Sequence, residues 1–416
     1  MDDLRRRLRR MGVTTGRDFQ AKPRATDGPD IDGLTDGTIV ETKAGPCFVI
    51  ERSYPLDVLH GSHHLSDWFD LEPDGLAHIS GNHSLADIAP DRYLFLDTET
   101  TGLGGGALAF EVGVGFFTDS AFVIRQYFLR DPAEEPAMLH LLADLIGPDW
   151  ALVTFNGQTF DIPLLTGRYV MNRQRSLFGA LPNLDLLHPA RRLWRRRLPS
   201  CSLGALEVDV LGLGRTQEDV PGALIPTLYR QYLRTHNARD MVRVLYHNEQ
   251  DLLSMVSLGV QIARAFGQPE APEVPVDDRL SLARWYAHQQ MHDEAEAAYR
   301  LAADEAPDAD TRYDALAGLA YLLKRAERRH EALPLWEDLA DLKHDTVGHE
   351  ELAKHYEWNA NDLETALAWT DAALKLAESW RPGLRRTEAV RAFNHRRERL
   401  IRKLNGTNNQ NSVEES

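Results

Sequence analysis

The sequence predicts an α/β domain with a mixed sheet flanked by helices, followed by an all-α domain of helical repeats. Three observations lead to this prediction. Short runs rich in Val, Ile and Phe alternate with segments of helical periodicity between residues 90 and 266. A proline-rich stretch from Gln268 to Val276 is typical of a linker. Beyond it, similar helical segments recur at intervals of roughly 34 residues.

These observations predict five regions. They are an N-terminal region over 1–89, the α/β domain over 90–266, a linker over 267–276, helical repeats over 277–404 and a disordered tail over 405–416.

Composition restricts the class of protein. The chain has 416 residues, 43% of them hydrophobic, which is ordinary for a globular protein with a sizeable core. Its net charge of −16 argues against a generally basic nucleic-acid coat but permits a local basic groove. No apolar run approaches the roughly 18 residues of a membrane span. The N-terminal sequence lacks a signal-peptide core, and the two cysteines lack a metal-type spacing. We therefore expect a cytoplasmic protein.

The N-terminal region contains three recognisable features. Leu4–Met11 fits a short basic helix, and Ala21–Gly37, rich in Pro, Asp and Gly, fits a linker. Thr38–Lys43 and Cys47–Arg52 predict a hairpin around the turn between them. Five histidines have neither a cysteine nor a tight ligand pattern, so ordinary loop histidines are favoured over a zinc site. These histidines are His60, His63, His64, His78 and His83.

The α/β domain begins with three strands. Tyr93–Leu96 is apolar throughout, as in a strand buried on both faces, and a tight turn at Thr118–Ser120 predicts an antiparallel meander. The later elements alternate between helix and strand. After Tyr93–Leu96, strands are predicted at Ala107–Thr118, Ala121–Arg130, Ala151–Phe155 and near Leu184. Helices are predicted at Glu134–Ile146, Phe160–Val170 and Arg239–Phe266, and a further basic helix is predicted to end at Trp194.

The C-terminal repeats are recognised from three alanines in similar contexts. Ala295, Ala332 and Ala366 each follow a short polar segment, at spacings close to the roughly 34-residue tetratricopeptide period. Aromatic residues precede each alanine by about ten residues, at Trp285, Tyr321 and Tyr356. This pattern predicts three stacked helical hairpins, and the alternative is a helical bundle with accidental periodicity.

Four carboxylates and one histidine form the candidate site. Asp97 and Glu99 are two positions apart at the end of a strand, so both side chains point to the same face and repel each other unless a cation lies between them. Asp161 follows the fourth strand, where its alternative role is a helix N-cap. His247 and Asp251 are one helical turn apart. A His–Asp pair at this spacing is, by itself, more often a pair on a helix surface or at a cap than part of a catalytic site. Together the carboxylates could hold two hard cations.

The motifs Asp97-Thr-Glu-Thr-Thr-Gly-Leu103, Asn156-x-x-x-Phe160-Asp161 and His247-x-x-x-Asp251 resemble the three exonuclease motifs of the DEDD superfamily, which has a ribonuclease H-like fold. With tetratricopeptide repeats following, the layout is similar to the YprB-like family, also called mitomycin repair factor B. The resemblance implies a 3′–5′ exonuclease that hydrolyses DNA in repair, with two Mg²⁺ or Mn²⁺ ions and a partner helicase.

The resemblance also implies roles for individual residues. Asp97, Glu99 and Asp251 would hold one metal ion, and Asp97 with Asp161 the second. Thr100 and Leu103 would meet the terminal nucleotide, with Leu103 wedging against its base, and Asn156 and Phe160 would shape the site beside Asp161.

The third motif departs from the two main subclasses of the superfamily, which have Tyr-x-x-x-Asp or His-x-x-x-x-Asp. This chain has His247 at the tyrosine spacing and Tyr246 at the histidine spacing. We favour His247 as the residue that orients the attacking water, because a neutral imidazole can accept a proton near neutral pH.

A cationic stripe precedes the long helix. Helical spacing makes Arg191 and Arg195 neighbours, and likewise Arg192 and Arg196, with Arg197 beside them. Such a stripe suits contacts to nucleic-acid phosphates. A solvated face, or an intramolecular contact with acidic repeats, is the alternative.

Two other functions stay open. The substrate could be RNA, because the same fold and metals cleave both nucleic acids. The protein could instead be a non-catalytic adaptor whose repeats bind a protein partner.

Overall fold

The apolar run at residues 93–96 lies in the middle of a seven-stranded mixed sheet. The strand order is β1-β2-β7-β6-β5-β8-β9; β8 runs parallel to both β5 and β9, and the other pairs are antiparallel. The strands are β1 (Thr38–Thr42), β2 (Gly45–Pro55), β5 (Tyr93–Thr100), β6 (Ala109–Phe117), β7 (Ala121–Phe128), β8 (Ala151–Thr154) and β9 (Asn183–Asp185), and a separate small hairpin comprises β3 (Leu59–His60) and β4 (His63–His64).

This computed structural model describes residues 28–102, 104, 106–176, 178–214, 219–342 and 345–414, with side chains as far as residue 405. The chain divides into two compact units, one of residues 1–187 with 202–261 and one of residues 188–201 with 262–416. The predicted basic helix at Leu4–Met11 and the predicted nucleotide contact Leu103 lie outside the described residues.

The N-terminal hairpin belongs to the sheet. The predicted strands form β1 and β2, and β2 pairs along its length with β7. Cys47, Phe48 and Ile50 of β2 are buried, so the hairpin extends the core of the α/β domain. Residues 28–89 are therefore part of the same unit as the strands that follow them. The sequence-based boundary at residue 89 had placed them in a separate region.

In the described residues, seven α-helices precede the proline-rich stretch. The helices predicted at Glu134–Ile146 and Arg239–Phe266 are confirmed, as is the short strand near Leu184, and their ends differ by about one residue, within the usual uncertainty of helix boundaries. The helices are α1 (Pro73–Ser80), α2 (Glu135–Leu145), α3 (Asp161–Met171), α4 (Leu187–Trp194), α5 (Leu203–Asp209), α6 (Ile225–Thr235) and α7 (Arg239–Gly267).

Strand β5 is buried on both faces, as its sequence predicts. Leu94 and Leu96 join a core built with side chains of α2, α3 and α6. On the opposite face, the ring of Trp68 packs against Tyr93 and Phe95 with centroids 5.4 Å and 4.9 Å apart. Gly259 of α7 makes room for this indole, because a Cβ there would lie 2.7 Å from Trp68 Cζ3. The central strand is thereby held between two packed layers.

The second unit contains helical repeats. Its helices pack in chain order, each against the next. Ala295, Ala332 and Ala366 are buried at equivalent positions, the fourth residue of the second helix in each of three successive pairs. The predicted hairpins are therefore confirmed. The helices are α8 (Val276–His288), α9 (His292–Asp304), α10 (Ala309–Arg325), α11 (Arg329–Leu342), α12 (Val347–Trp358), α13 (Leu363–Ser379) and α14 (Leu384–Glu414).

The chain end differs from the prediction. Residues 405–414 continue α14, whereas their polar composition predicted disorder. Each residue added to an existing helix gains a backbone hydrogen bond without a new nucleation cost. The packed first part of α14, where Arg396, Arg399 and Lys403 pair with the buried Glu357, supplies that nucleus.

Replacement of Trp68 by alanine tests this packing. We expect the free energy of unfolding to fall by roughly 3–5 kcal/mol, as for other fully buried aromatic residues. Urea denaturation followed by far-UV circular dichroism measures the change. Trp358→Ala is the matched control, because the Trp358 side chain is 59% exposed. Equal effects of the two substitutions would contradict the proposed role of Trp68.

Candidate active site

The two carboxylates that end β5 lie on the face that turns toward α7. Asp97 and Glu99 follow Tyr93 and Phe95 in the strand alternation, and a register irregularity between Glu99 and Thr100 ends the regular pairing with β6. The side chain between them, Thr98, lies on the other face, where its hydroxyl donates a hydrogen bond to Asp161. The end of one strand therefore reaches two different helices.

Asp97 is oriented by an amide that sequence reasoning missed. The fully buried Asn248 donates from Nδ2 to Asp97 Oδ2 at 2.8 Å, and Gln126 donates to Asn248 Oδ1 at 3.0 Å. Gly113 permits this approach, because a Cβ at that position would overlap the Asn248 amide. The position of Asn248 between His247 and Asp251 was visible in the sequence, but its contact with Asp97, on a strand distant in sequence, was not.

Asp161 is the first residue of α3, and Phe160 is the N-cap. The N-cap alternative for Asp161 is therefore wrong. The side chain is buried among acids, and burial, followed by the charge of Asp97, raises its pKa to about 7, although the hydrogen bond from Thr98 opposes the shift. A neutral or cation-bound Asp161 is favoured in this environment.

Glu99 shows that the acids converge. Burial raises its pKa well above the ordinary value, and the charges of Asp97, Glu111, Asp251 and Asp161 raise it further. Asp97, Asp161 and Asp251 therefore all lie within electrostatic range of Glu99, although the four carboxylates come from β5, α3 and α7.

Glu111 is a fifth acid that sequence reasoning missed. It lies directly opposite Glu99 in the β5–β6 register and is fully buried. Gln126 donates to Glu111 Oε1 at 2.9 Å, but Oε2 has no partner among the described residues. Burial and the charge of Asp97 raise its pKa well above the ordinary value. A lone glutamate in the otherwise apolar strand was the signal that could have revealed it.

His247 faces the carboxylates. Its Nε2 lies 3.6 Å from Asp251 Oδ2 and 3.8 Å from Glu99 Oε1. Its Nδ1 lies 2.6 Å from Asp219 Oδ1, a partner 28 residues earlier that sequence reasoning missed. The side chain of Tyr246 forms no hydrogen bond with the described part of the chain. The arrangement leaves Nε2 directed toward the acids while Asp219 holds the other nitrogen.

A cleft of about 580 Å³ opens beside these acids. Phe160, 49% exposed, lies at its wall, and Asn156 takes a left-handed backbone conformation with φ of 70°. The buried Asp185 holds this loop by accepting backbone N–H bonds from Asn156 at 2.7 Å and Gln158 at 3.1 Å. The cleft is lined by Asp97, Thr100, Asn156, Phe160, Asp161 and Arg168, among others.

The arginine stripe belongs to the second unit. Arg196 pairs with Asp277 and Asp314, and Arg197 pairs with Asp278, so the intramolecular alternative holds for these two. Arg191, Arg192 and Arg195 are exposed and form no ion pair among the described residues.

The donor set suits a hard divalent cation. Every candidate carboxylate offers oxygen, and the pKa values of Glu99 and Asp161 are raised by burial and by a repulsion that a cation would relieve. Glu111 Oε2 adds a buried acceptor without a donor. Within the described residues, no three such side chains already surround a point that a metal ion could occupy.

Comparison with known proteins agrees with the fold. Residues 94–263 match the family model of the RNase H superfamily. Over 342 residues the chain is 32% identical to "Uncharacterized protein YprB" of Bacillus subtilis (strain 168), covering 79% of this chain and 80% of that protein.

The chain belongs to the YprB family.

In this YprB-family chain, the superfamily match extends from β5 to α7 and so includes the four carboxylates and His247. The RNase H-like superfamily points to a nucleic-acid hydrolase, and its nucleases generally use divalent metals. No described helix of this YprB-family chain has both the length and the apolarity that crossing a membrane requires.

The raised carboxylate pKa values predict a pH-dependent stability. Because the pKa of Asp161 is about 7 in the folded state, the folded protein binds more protons than the unfolded chain between about pH 4 and pH 7, and stability falls as the pH rises through that range. In EDTA, we therefore expect the wild-type protein to melt at a lower temperature at pH 8 than at pH 6. Asp161→Asn should raise the melting temperature at pH 8 and weaken the pH dependence.

The control for this experiment is Asp119→Asn, which alters an exposed carboxylate in the β6–β7 turn. Differential scanning fluorimetry of the three proteins in EDTA measures the effect. An unchanged pH dependence in Asp161→Asn would show that the buried acids do not limit stability.

Proposed function

We propose that this protein is a metal-dependent 3′–5′ exonuclease that hydrolyses the phosphodiester bonds of DNA and acts in DNA repair. The observation that supports the proposal is the convergence of Asp97, Glu99, Asp161 and Asp251 with His247 at one end of the sheet. The three motifs that resemble the DEDD superfamily supply these residues. By that resemblance, a protein partner such as a helicase would bind the tetratricopeptide-like repeats.

The carboxylates would hold two divalent cations, Mg²⁺ or Mn²⁺. Asp97, Glu99 and Asp251 are the ligands proposed for one ion, and Asp97 with Asp161 those for the other. When bound, such ions stabilise the charge that develops on the attacking and leaving oxygens of the phosphodiester. Asn248 and Thr98 keep Asp97 and Asp161 in place through their hydrogen bonds.

His247 is the proposed general base. Its Nε2 would accept a proton from the attacking water, and Asp219 would stabilise the resulting imidazolium through Nδ1. The Asp219 carboxylate on Nδ1 also fixes the orientation of the ring before the reaction.

The cleft would receive the terminal nucleotide. The half-exposed Phe160 offers a flat apolar surface for a base, a contact that tolerates any sequence. Asn156 and Thr100 lie in the same cleft and can hydrogen-bond to the sugar or phosphate.

Cleavage of labelled oligonucleotides tests the proposal. DNA and RNA of matched sequence, labelled at either end, are incubated with the protein and Mg²⁺ or Mn²⁺. We expect release of the 3′ label from DNA as a mononucleotide and a ladder of 5′-labelled products. Asp97→Ala with Glu99→Ala should reduce the rate to background, whereas Asp119→Ala should leave it unchanged. Undiminished cleavage by the double variant, in protein free of contaminating nuclease, would refute the proposal.

Replacement of Asp219 by asparagine tests the proposed base. We expect kcat to fall at least roughly 10–100-fold, the range found when the carboxylate partner of a histidine in a metal site is removed. In a double-mutant cycle, adding Asp219→Asn to His247→Ala should cost no further activity, because Asp219 acts through His247. Independent, additive losses would mean that Asp219 has only a structural role.

A further inference from the structure

A second candidate binding site lies inside the helical unit. A cavity of about 500 Å³ forms between α4 and α8 and contains none of the residues assigned above to catalysis. We call it the basic cavity. Its lining consists of Arg191, Arg192, Arg195, Arg196, Arg284, Ser281, Trp285 and His288.

The charges of the basic cavity are only partly neutralised. Arg196 and Arg284 share Asp314 at 2.6 Å and 3.0 Å, and Arg196 also binds Asp277. Arg191, Arg192 and Arg195 have no acidic partner among the described residues. The cavity therefore keeps three adjacent positive charges in a chain whose net charge is −16.

Part of the lining is already ordered for binding. The guanidinium of Arg192 lies 5.5 Å from the centroid of the Trp285 ring, a cation–π distance. Asp314 fixes Arg196 and Arg284. An anion that enters therefore meets side chains that have already lost part of their rotamer freedom, which lowers the entropic cost of binding.

Trp285 supplies an independent indication of a ligand. The residue is 3% exposed, and its indole Nε1 is a buried donor with no acceptor among the described residues. Buried donors in proteins are nearly always paired. Trp285 is also one of the residues that line the basic cavity, which places this unpaired donor in a side chain at the proposed site.

We propose that the basic cavity binds the phosphodiester backbone of a nucleic-acid strand, so that the helical unit contacts the substrate as well as any protein partner. The inference rests on the proposed function in one respect: it takes the nucleic-acid strand that binds here to be the substrate of the nuclease. Arginine offers paired donors that match phosphate oxygens, and five of the eight residues that line the basic cavity are arginines. Such contacts hold a strand without reading its sequence.

Binding measured without hydrolysis separates this proposal from the nuclease itself. The probe is a fluorescein-labelled oligothymidylate of about 20 nucleotides, and the full-length protein carries Asp97→Ala and Glu99→Ala and is kept in EDTA. In this background, Arg191→Gln with Arg195→Gln is compared with Arg381→Gln and Arg391→Gln. The two control positions are exposed arginines without an ion pair among the described residues.

We expect the Arg191/Arg195 variant to bind on the order of tenfold more weakly at low salt. The slope of log K against log[NaCl] should fall by about 1.4, since each lost phosphate contact on a single strand contributes about 0.7. The control variant should keep the parent affinity and slope. An Arg191/Arg195 variant that binds like the control would overturn the proposal.

Two further measurements locate the strand and test its chemistry. The indole N–H signal of Trp285, assigned in a ¹⁵N-tryptophan spectrum with Trp285→Phe, should shift when the oligonucleotide is added. An unshifted Trp285 signal during binding would overturn the location.

Polyglutamate of equal charge should fail to displace the oligonucleotide. Displacement at equal charge concentration would assign the cavity to acidic peptides instead.

Discussion

The repulsion among buried acids at the end of β5 is the constraint on which the candidate site depends. Glu99 is surrounded by the charges of Asp97, Glu111, Asp251 and Asp161, and burial adds to the cost of ionising it. A folded chain tolerates such a cluster only if the surrounding structure holds the acids in place and a proton or cation compensates them. Within the protein, hydrogen bonds hold three of the acids in place. Thr98 donates to Asp161, Gln126 to Glu111 and Asn248 to Asp97.

Helix α7 completes the site because two glycines let it approach the sheet closely. Gly113 on β6 accommodates the Asn248 amide, and Gly259 on α7 accommodates the indole of Trp68. The helix therefore presents His247, Asn248 and Asp251 to the strand end as one rigid group. Residues that function together on such an element keep their relative geometry better than residues on loops.

Electrostatics also organises the helical unit. Acidic residues at the start of α8 and on α10 neutralise Arg196 and Arg197, which leaves the outer arginines of α4 to face the basic cavity. A strongly acidic chain thus retains a local positive surface. Net charge alone would have argued against nucleic-acid contact, whereas the arrangement of charges supports it.

The sequence by itself determined the strands of the sheet from Tyr93 onward, the long helix α7, the helical hairpins and the position of Asp97 and Glu99 on one face, because these follow from local periodicity. Only the tertiary structure decided that β1 and β2 extend the sheet, that Asp219 holds His247 and that Glu111 joins the acids. It also decided that residues 188–201 belong with the helical repeats and not with the α/β domain. These contacts join residues far apart in the chain, where no local pattern records which faces will meet.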